Sequence, residues 1–271
     1  MRFKYKYTDY HIHTRWSHDI KEFGPSFEHY ARIAEKKKIN ICFLEHYELF
    51  PIENDPTYPF YGGKIEQYLE EVDDVKATYD FVLSGLEIDY YEQREEELHN
   101  FMEEYGNQLD FIAGTLHETT IGYPVTTREK LVRLLQQNRI KDVVDNFFRL
   151  SKLMIQSELF ENICHLDTIF RYINPNDIQP TFDTDVSDER ILELGRLCIK
   201  KNIRIEYNLS GPKYPIGRTF PSKKVVKKLA KEGAQFFIGS DSHSTNYFKT
   251  KIRKIKKATK YINKLEKKYK K

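Results

Sequence analysis

Seven short apolar runs alternate with longer amphipathic segments along this chain of 271 residues. Each run has the length of a strand, and each segment repeats its apolar residues at about 3.6 positions, as a helix does. The predicted strands are residues 7–13, 41–45, 81–88, 109–116, 161–165, 203–207 and 235–240, and the predicted helices are residues 26–38, 64–79, 92–105, 127–158, 188–201 and 222–233. This order predicts an α/β fold of parallel strands with helices outside, as an open sheet or a closed barrel.

Two longer segments, residues 49–63 and 174–187, have no such periodicity and are predicted to be loops that shape a substrate pocket. The length allows one large core, so we expect a single domain over residues 1–271. The last part, from about 246 to 271, is predicted to be a basic helix with an apolar stripe. Its lysines are expected on the solvated side, and an arm for nucleic acid or a membrane surface is the alternative.

Charge is unevenly distributed along the chain. Residues 249–271 carry 12 basic residues and one Glu, whereas residues 1–248 carry 32 basic and 40 acidic residues. An acidic body is a poor general binder of nucleic acid, so no nucleic-acid partner is expected. The three cysteines are far apart, the first residues lack the apolar core of a signal peptide, and no run is long enough to span a membrane. These features predict a cytoplasmic protein with reduced cysteines and no membrane contact.

Most of the histidines lie where predicted strands end. In a parallel barrel those ends meet on one face, which is where active sites are built. A single histidine at a strand end is more often structural than a ligand, but seven of the nine histidines follow the pattern. Neutral imidazole and carboxylate, without thiolate, suit Zn, Fe or Mn. The candidate metal ligands are His11, His13, His18, His46, Glu87, His117, His165, Asp241 and His243.

The chain resembles the polymerase-and-histidinol-phosphatase (PHP) family in six segments that occur in order over nearly its whole length. Within that family it looks most like the stand-alone histidinol-phosphate phosphatases. The segments are Asp9-Tyr10-His11-Ile12-His13-Thr14, Leu44-Glu45-His46, Gly85-Leu86-Glu87-Ile88-Asp89-Tyr90, Gly114-Thr115-Leu116-His117, Cys164-His165-Leu166-Asp167 and Gly239-Ser240-Asp241-Ser242-His243.

The resemblance implies a distorted (β/α)7 barrel that holds three divalent ions at the carboxyl ends of its strands. Carried over by position, His11, His13, Glu87 and Asp241 would hold the first ion. Glu87 would bridge to a second ion, which His117 and His165 would also hold. The third ion would be held by His18, His46 and His243. Zinc, iron or manganese would fit these ligands.

The resemblance also implies an enzyme that hydrolyses a small phosphomonoester, expected to be L-histidinol phosphate in histidine biosynthesis. A metal-bound hydroxide would attack phosphorus, and Asp241 or His243 would protonate the leaving alkoxide. Phosphate would be held by basic side chains, for which Arg171, Arg218 and Lys213 are the candidates. We expect a monomer or a small homo-oligomer.

Three alternatives share this pattern of ligands. One is a phosphatase that acts on another small phosphomonoester. A second is a nuclease or phosphodiesterase of the PHP type, which the acidic body disfavours. The third is a non-catalytic binding protein with a relic site, which the full set of ligands disfavours.

Overall fold

Seven strands carry the fold, and each lies close to a predicted apolar run. The computed structural model describes residues 3–21, 23–173 and 184–269, and within these ranges the strands follow the order of the chain in one sheet. Adjacent strands pair in parallel in the four pairs β1–β2, β2–β3, β4–β5 and β5–β6. The strands are β1 (Thr8–Ile12), β2 (Asn40–Tyr47), β3 (Val82–Asp89), β4 (Phe111–Thr115), β5 (Asn162–Ile163), β6 (Arg204–Asn208) and β7 (Phe236–Gly239).

The segment that follows β7 returns to β1. Ile12 and Ser242 form a parallel bridge, and the backbone N–H of Asp241 donates to the carbonyl of His11 at 2.9 Å. The pairing of β1 with β2 shifts register between Asp9 and Ile12, and β5 has only two residues. The architecture is therefore the (β/α)7 barrel expected from the resemblance, with these irregularities as its distortion.

The helices agree with the predicted ones at most positions. None of the helices among the described residues is both long enough and apolar enough to cross a membrane. The helices are α1 (Phe27–Lys37), α2 (Leu49–Asn54), α3 (Ile65–Thr78), α4 (Glu95–Tyr105), α5 (Arg128–Gln137), α6 (Ile140–Gln156), α7 (Thr184–Lys200), α8 (Lys223–Lys231) and α9 (Thr245–Tyr269).

Two predicted elements differ from the structure. The helix predicted over 127–158 is two helices, because Asn138 adopts extended backbone and its side-chain amide donates to the carbonyl of Leu134 at 3.0 Å. Asn competes for backbone partners in this way and so favours helix ends. The loop predicted over 49–63 begins with α2, where Pro51 is tolerated because it lies in the first turn. Residues 174–183 of the other predicted loop lie outside the described residues, and α7 begins at Thr184.

The chain divides into two compact units. The first unit contains residues 1–89, 94–113 and 238–261, and the second contains residues 90–93, 114–237 and 262–271. Aromatic side chains fill the core of the first unit: Tyr68 is fully buried, its hydroxyl donates to the carbonyl of Gly85 at 2.8 Å, and its ring lies 5.5 Å from that of Phe60. In the second unit Phe147 of α6, Ile163 of β5 and Leu229 of α8 are buried.

Candidate metal centre

Two histidines at the end of β1 form the centre of a buried polar cluster in the first unit. Strand side chains alternate, so His11 and His13, two residues apart, point to the same side. Their Nε2 atoms are 2.9 Å apart, and Nε2 of His11 is 3.2 Å from Oε2 of Glu87, on β3. All three side chains are fully buried. Three groups that can each bind a cation thus converge in the interior of the first unit.

Asp241 and His243 approach the same histidines from the segment after β7. Asp241 has a φ of 56°, the left-handed region, which Asp tolerates better than most residues. Its Oδ1 is 3.7 Å from Nε2 of His13 and 3.3 Å from Nδ1 of His243. The backbone bond from Asp241 to the carbonyl of His11 keeps this turn next to β1.

His46, near the end of β2, completes the group. Its Nδ1 is 3.3 Å from Oε2 of Glu87, and its ring stacks on that of His13 with centroids 4.4 Å apart. The ring of His243 lies 4.2 Å from that of His13. In the two sets His11–His13–Asp241 and His13–His46–His243, the possible ligand atoms all lie within 4.8 Å of one another.

Asp19 belongs to this cluster although the sequence interpretation did not single it out. Its Oδ2 lies 2.8 Å from Nε2 of His243, and its Oδ1 lies 3.9 Å from Nε2 of His46. Desolvation opposes ionisation of Asp19, whose side chain is 40% exposed, but His243, His46 and His13 outweigh it and hold the pKa of this carboxyl well below its usual range. The only sequence signal was an acid one position beyond a predicted ligand.

The predicted ligand His18 faces other partners. Its Nδ1 lies 3.4 Å from Oε2 of Glu48, and its ring stacks on that of Tyr58 with centroids 5.3 Å apart. The side chain is 40% exposed. His18 still lies near the cluster, since its ring is 5.2 Å from that of His46. Its neighbour Asp19 makes the closer contacts with His46 and His243.

Burial and mutual repulsion keep the central imidazole neutral. Desolvation, followed by His243, His46 and His11, lowers the pKa of His13 well below its ordinary value. Neutral imidazoles and ionised carboxylates are the forms that bind divalent ions. These ligand atoms are nitrogen and carboxylate oxygen, so the residues of the first unit fit zinc, iron or manganese.

The start of β1 is tied to the end of β7 by a buried carboxylate. Oδ1 of Asp9 accepts from the backbone N–H of Ser240 at 2.8 Å and from that of His11 at 3.3 Å. Burial raises the pKa of Asp9 to about 7, although the hydrogen bonds from Ser240 and His11 oppose the shift. Asp9 therefore fixes the backbone that carries His11 on one side and Asp241 on the other.

The second unit contains the other two predicted ligands. The rings of His117 and His165 are 5.3 Å apart, and both residues are buried. Nε2 of His117 lies 3.3 Å from Oγ1 of Thr115, and the backbone N–H of His165 donates to Oε2 of Glu206 at 2.8 Å. Glu206, fully buried on β6, had no role in the sequence interpretation. The structure thus brings together His117 and His165, which follow two successive strands.

The three candidate phosphate-binding residues also lie in the second unit, in two places. The guanidinium of Arg171 lies over the ring of Tyr214 at 4.6 Å, and Nζ of Lys213 lies 4.9 Å from the same ring. Arg218 instead donates to Oδ2 of the buried Asp167 at 2.5 Å. Tyr214 and Asp167 are partners that sequence reasoning did not assign. Arg171 and Lys213 therefore share a location, and one edge of Arg218 is held by a carboxylate.

The chain is similar to known proteins in sequence and in fold. No family model matches the chain. The histidinol-phosphatase of Bacillus subtilis is 25% identical over 260 residues, which cover 87% of this chain and 92% of that protein. HisK of Listeria monocytogenes superposes with a TM-score of 0.74 at 21% identity over 89% of this chain and 96% of that one.

A further solved structure holds ligands. Histidinol phosphate phosphatase of Lactococcus lactis, in complex with zinc, L-histidinol and phosphate, has a TM-score of 0.68 at 18% identity, covering 93% of this chain and 94% of that one. These similarities span nearly the whole chain. The chain is therefore similar in sequence to histidinol-phosphatases and shares the fold of the two solved structures.

Proposed function

We propose that this protein is a metal-dependent phosphomonoesterase that hydrolyses L-histidinol phosphate to L-histidinol and phosphate. The observation that carries the proposal is the convergence of buried imidazole and carboxylate ligands in the first unit, within 4.8 Å of one another in each set. The substrate is suggested by the relatives, one of which is named a histidinol-phosphatase and another of which binds L-histidinol and phosphate. The acidic charge of residues 1–248 also favours a small substrate with a cationic amine over nucleic acid.

The ligands of the first unit divide by their contacts. His11, His13, Glu87 and Asp241 are proposed to hold one ion, and His46, His243 and Asp19 another. His117 and His165 would contribute to a third, as the resemblance implies. When bound, such ions activate water as a nucleophile and neutralise charge on phosphoryl oxygens.

Asp241 and His243 are the proposed carriers of the proton that the leaving alkoxide needs. Nδ1 of His243 lies 3.3 Å from Oδ1 of Asp241 and 3.1 Å from the backbone carbonyl oxygen of the same residue, so a proton on Nδ1 can face either oxygen. His243 is 28% exposed whereas Asp241 is buried, so the histidine is the member that solvent and substrate reach.

Arg171 and Lys213 are proposed to bind the phosphate, since both charges lie at the ring of Tyr214. Stacking restricts the guanidinium of Arg171 and so reduces the entropy lost on binding. Arg218 remains a candidate through the edge that Asp167 does not use, because a guanidinium has five donors.

The proposal is tested by phosphate release from the full-length protein loaded in turn with zinc, iron or manganese. The substrates are histidinol phosphate, unrelated small phosphomonoesters and an oligonucleotide. We expect histidinol phosphate to give the highest kcat/KM, and Asp241→Asn to lower it by about 100-fold or more. The matched control is Asp80→Asn, which changes an exposed carboxylate paired with Lys4 and should leave the activity unchanged.

Each other outcome identifies an alternative. Preference for another phosphomonoester would replace the substrate and keep the reaction. Cleavage of the oligonucleotide alone would indicate a nuclease. Absence of hydrolysis with every metal, unaffected by Asp241→Asn, would indicate a non-catalytic binding protein. Cytoplasmic location and a monomer or small homo-oligomer stay predictions from the sequence.

A further inference from the structure

We propose that Ser17 and Glu45 act together as positioning residues that fix the tautomer of His13, so that Nε2 is its metal-binding nitrogen. This inference rests on the metal site of the proposed function. It concerns the central histidine of the first unit, whose ring contacts those of His11, His46 and His243. A neutral imidazole carries its proton on either nitrogen, and only the nitrogen without the proton can bind a metal.

The hydroxyl of Ser17 links the histidine to the carboxylate. Oγ of Ser17 is 2.9 Å from Nδ1 of His13 and donates to Oε2 of Glu45 at 2.7 Å. It also accepts from the backbone N–H of His46 at 3.2 Å. All three side chains belong to the first unit, and Ser17 and Glu45 are fully buried. Water therefore does not compete for these bonds.

The position of the carboxylate is set by Thr14. The backbone N–H of Thr14 donates to both oxygens of Glu45 at 3.0 Å, and its hydroxyl donates to Oε1 at 2.7 Å. Oε1 therefore accepts two bonds from Thr14, whereas Oε2 accepts one from the backbone N–H of Thr14 and one from the hydroxyl of Ser17. Burial raises the pKa of Glu45 to about 7, although the hydrogen bonds from Ser17 and Thr14 oppose the shift. In the ionised form, which these donors favour, both oxygens of Glu45 act as acceptors.

The direction of the remaining bond follows from counting protons. A serine hydroxyl has one proton, and here it goes to Glu45. The oxygen of Ser17 can then only accept, so Nδ1 of His13 must be the donor at 2.9 Å. The unprotonated Nε2 is the atom that lies 2.9 Å from Nε2 of His11 and 3.7 Å from Oδ1 of Asp241. The lone pair thus faces the other proposed ligands.

The effect on metal affinity of removing a hydrogen bond to a metal-binding histidine is known for metal sites in general. Groups that hydrogen-bond the free nitrogen of a ligating histidine fix its tautomer and orientation, and their removal lowers metal affinity by about 10- to 100-fold. Ser17→Ala is therefore expected to weaken zinc binding by about that factor, measured on the full chain by competition with a chromophoric chelator. The matched control is Ser157→Ala, which removes a serine hydroxyl bond to the carbonyl of Met154 and leaves the contact of Ser17 with His13.

Glu45→Gln gives a second and sharper variant. Because Oε1 accepts from both the N–H and the hydroxyl of Thr14, the amide oxygen is expected at that place. The NH2 group is then expected to face Ser17, with loss of the second bond from the N–H of Thr14. Ser17 then accepts from the amide and can donate its proton to Nδ1 of His13, which reverses the tautomer. A merely structural role for Glu45 would not produce this reversal.

The tautomer is read directly from nitrogen chemical shifts of protein labelled with 15N-histidine, with His13 assigned by its loss in His13→Gln. We expect Nδ1–H in the wild type, with and without zinc, a mixture of tautomers in Ser17→Ala, and Nε2–H in Glu45→Gln. Nε2–H in the metal-free wild type, unchanged zinc affinity in Ser17→Ala, or equal losses in Ser17→Ala and Ser157→Ala would overturn the proposal. Both measurements need no substrate, so a protein with the expected tautomer but no phosphatase activity would refute the proposed function and leave this inference intact.

Discussion

His18 and Asp19 are neighbours in the chain but face different partners. His18 lies against Glu48 and Tyr58, whereas Asp19 contacts His243 at 2.8 Å. Both side chains are 40% exposed, and the ring of His18 is 5.2 Å from that of His46. Asp19 nevertheless makes the shorter contact with a proposed ligand. The contacts therefore favour Asp19 over His18 as the ligand from this loop.

A pair of substitutions distinguishes the two residues. Asp19→Asn is expected to lower the number of zinc ions bound per chain by one, or to weaken that ion by about 10-fold or more, because it removes the charge beside His46 and His243. His18→Asn should keep the full metal content. The measurement is metal content by mass spectrometry after dialysis against a fixed free zinc concentration. Loss of an ion from His18→Asn alone would restore His18 as the ligand.

At the scale of elements, β3 and β4 are joined by one carboxylate. Oδ2 of Asp110 accepts from the backbone N–H of Ser84 at 3.0 Å and from its hydroxyl at 3.1 Å. Nζ of Lys76, on α3, lies 2.8 Å from the same oxygen. This junction supports Glu87, which lies farther along β3. Burial of Asp110 opposes ionisation, but Lys76 and Ser84 outweigh it, so its pKa is below the ordinary 3.8.

Asp110→Asn should therefore destabilise the protein in a pH-dependent way. A depressed folded pKa contributes stability that is present above the unfolded value of 3.8 and is lost as pH falls through the folded value. At neutral pH we expect a loss of about 1–2 kcal/mol in the free energy of unfolding by urea, because a charge-assisted bond is removed. The difference from the wild type should shrink as the pH falls below 3.8.

Asp80→Asn is the control for this prediction. Asp80 also pairs with a lysine, but both side chains are exposed, so the change should be near zero at every pH. A loss in Asp110→Asn that stays constant as the medium is acidified would show that the ion pair is not its cause.

The last helix, α9, has one buried apolar face and one exposed basic face. Ile252, Ile255, Ile262 and Leu265 of α9 are buried, and most of its lysines are exposed, as the apolar stripe predicts. Lys256 donates to the carbonyl of Lys37, at the end of α1, at 2.7 Å. Packing within the protein therefore explains the apolar stripe, and exposure to solvent explains the lysines on the other face of the helix.

At the scale of the whole molecule, the proposed metal ligands are costly without their ions. The cluster of the first unit buries His11, His13 and Glu87 completely, and burying polar groups opposes folding unless they gain partners. Ions that bind only the folded state add stability by mass action. Stability should therefore depend on metal far more than the area of the site suggests.

Removal of metal by a chelator is expected to lower the melting temperature, and zinc should restore it. A thousandfold excess of free ion over Kd corresponds to about 4 kcal/mol for one site. Differential scanning calorimetry at fixed zinc concentrations measures the effect. His11→Ala should lose most of the zinc-dependent increase, whereas His99→Ala, on the exposed side of α4, should keep it. An increase of the same size in both variants would place the binding outside this cluster.

Local sequence patterns predict most of the strands and helices and many of the candidate ligands. The period of apolar residues located the strands and most helices, because burial of one face is decided over a few residues. Because strand side chains alternate, the sequence predicted that His11 and His13 point to the same side. The other candidate ligands were identified because they lie at the ends of predicted strands. The sequence pattern did not predict the break between two helices at Asn138 or the short helix that begins at Leu49. Both depend on hydrogen bonds and packing that periodicity does not report.

The sequence by itself determined the (β/α)7 order and the types of ligand at the strand ends, since both follow from spacing along the chain. Only the tertiary structure decided which side chains meet. It placed Asp19 beside His243, paired Arg218 with Asp167, and set Ser17 between His13 and Glu45. These contacts join residues from loops and strands far apart in the chain, and their directions depend on backbone positions that no local pattern encodes.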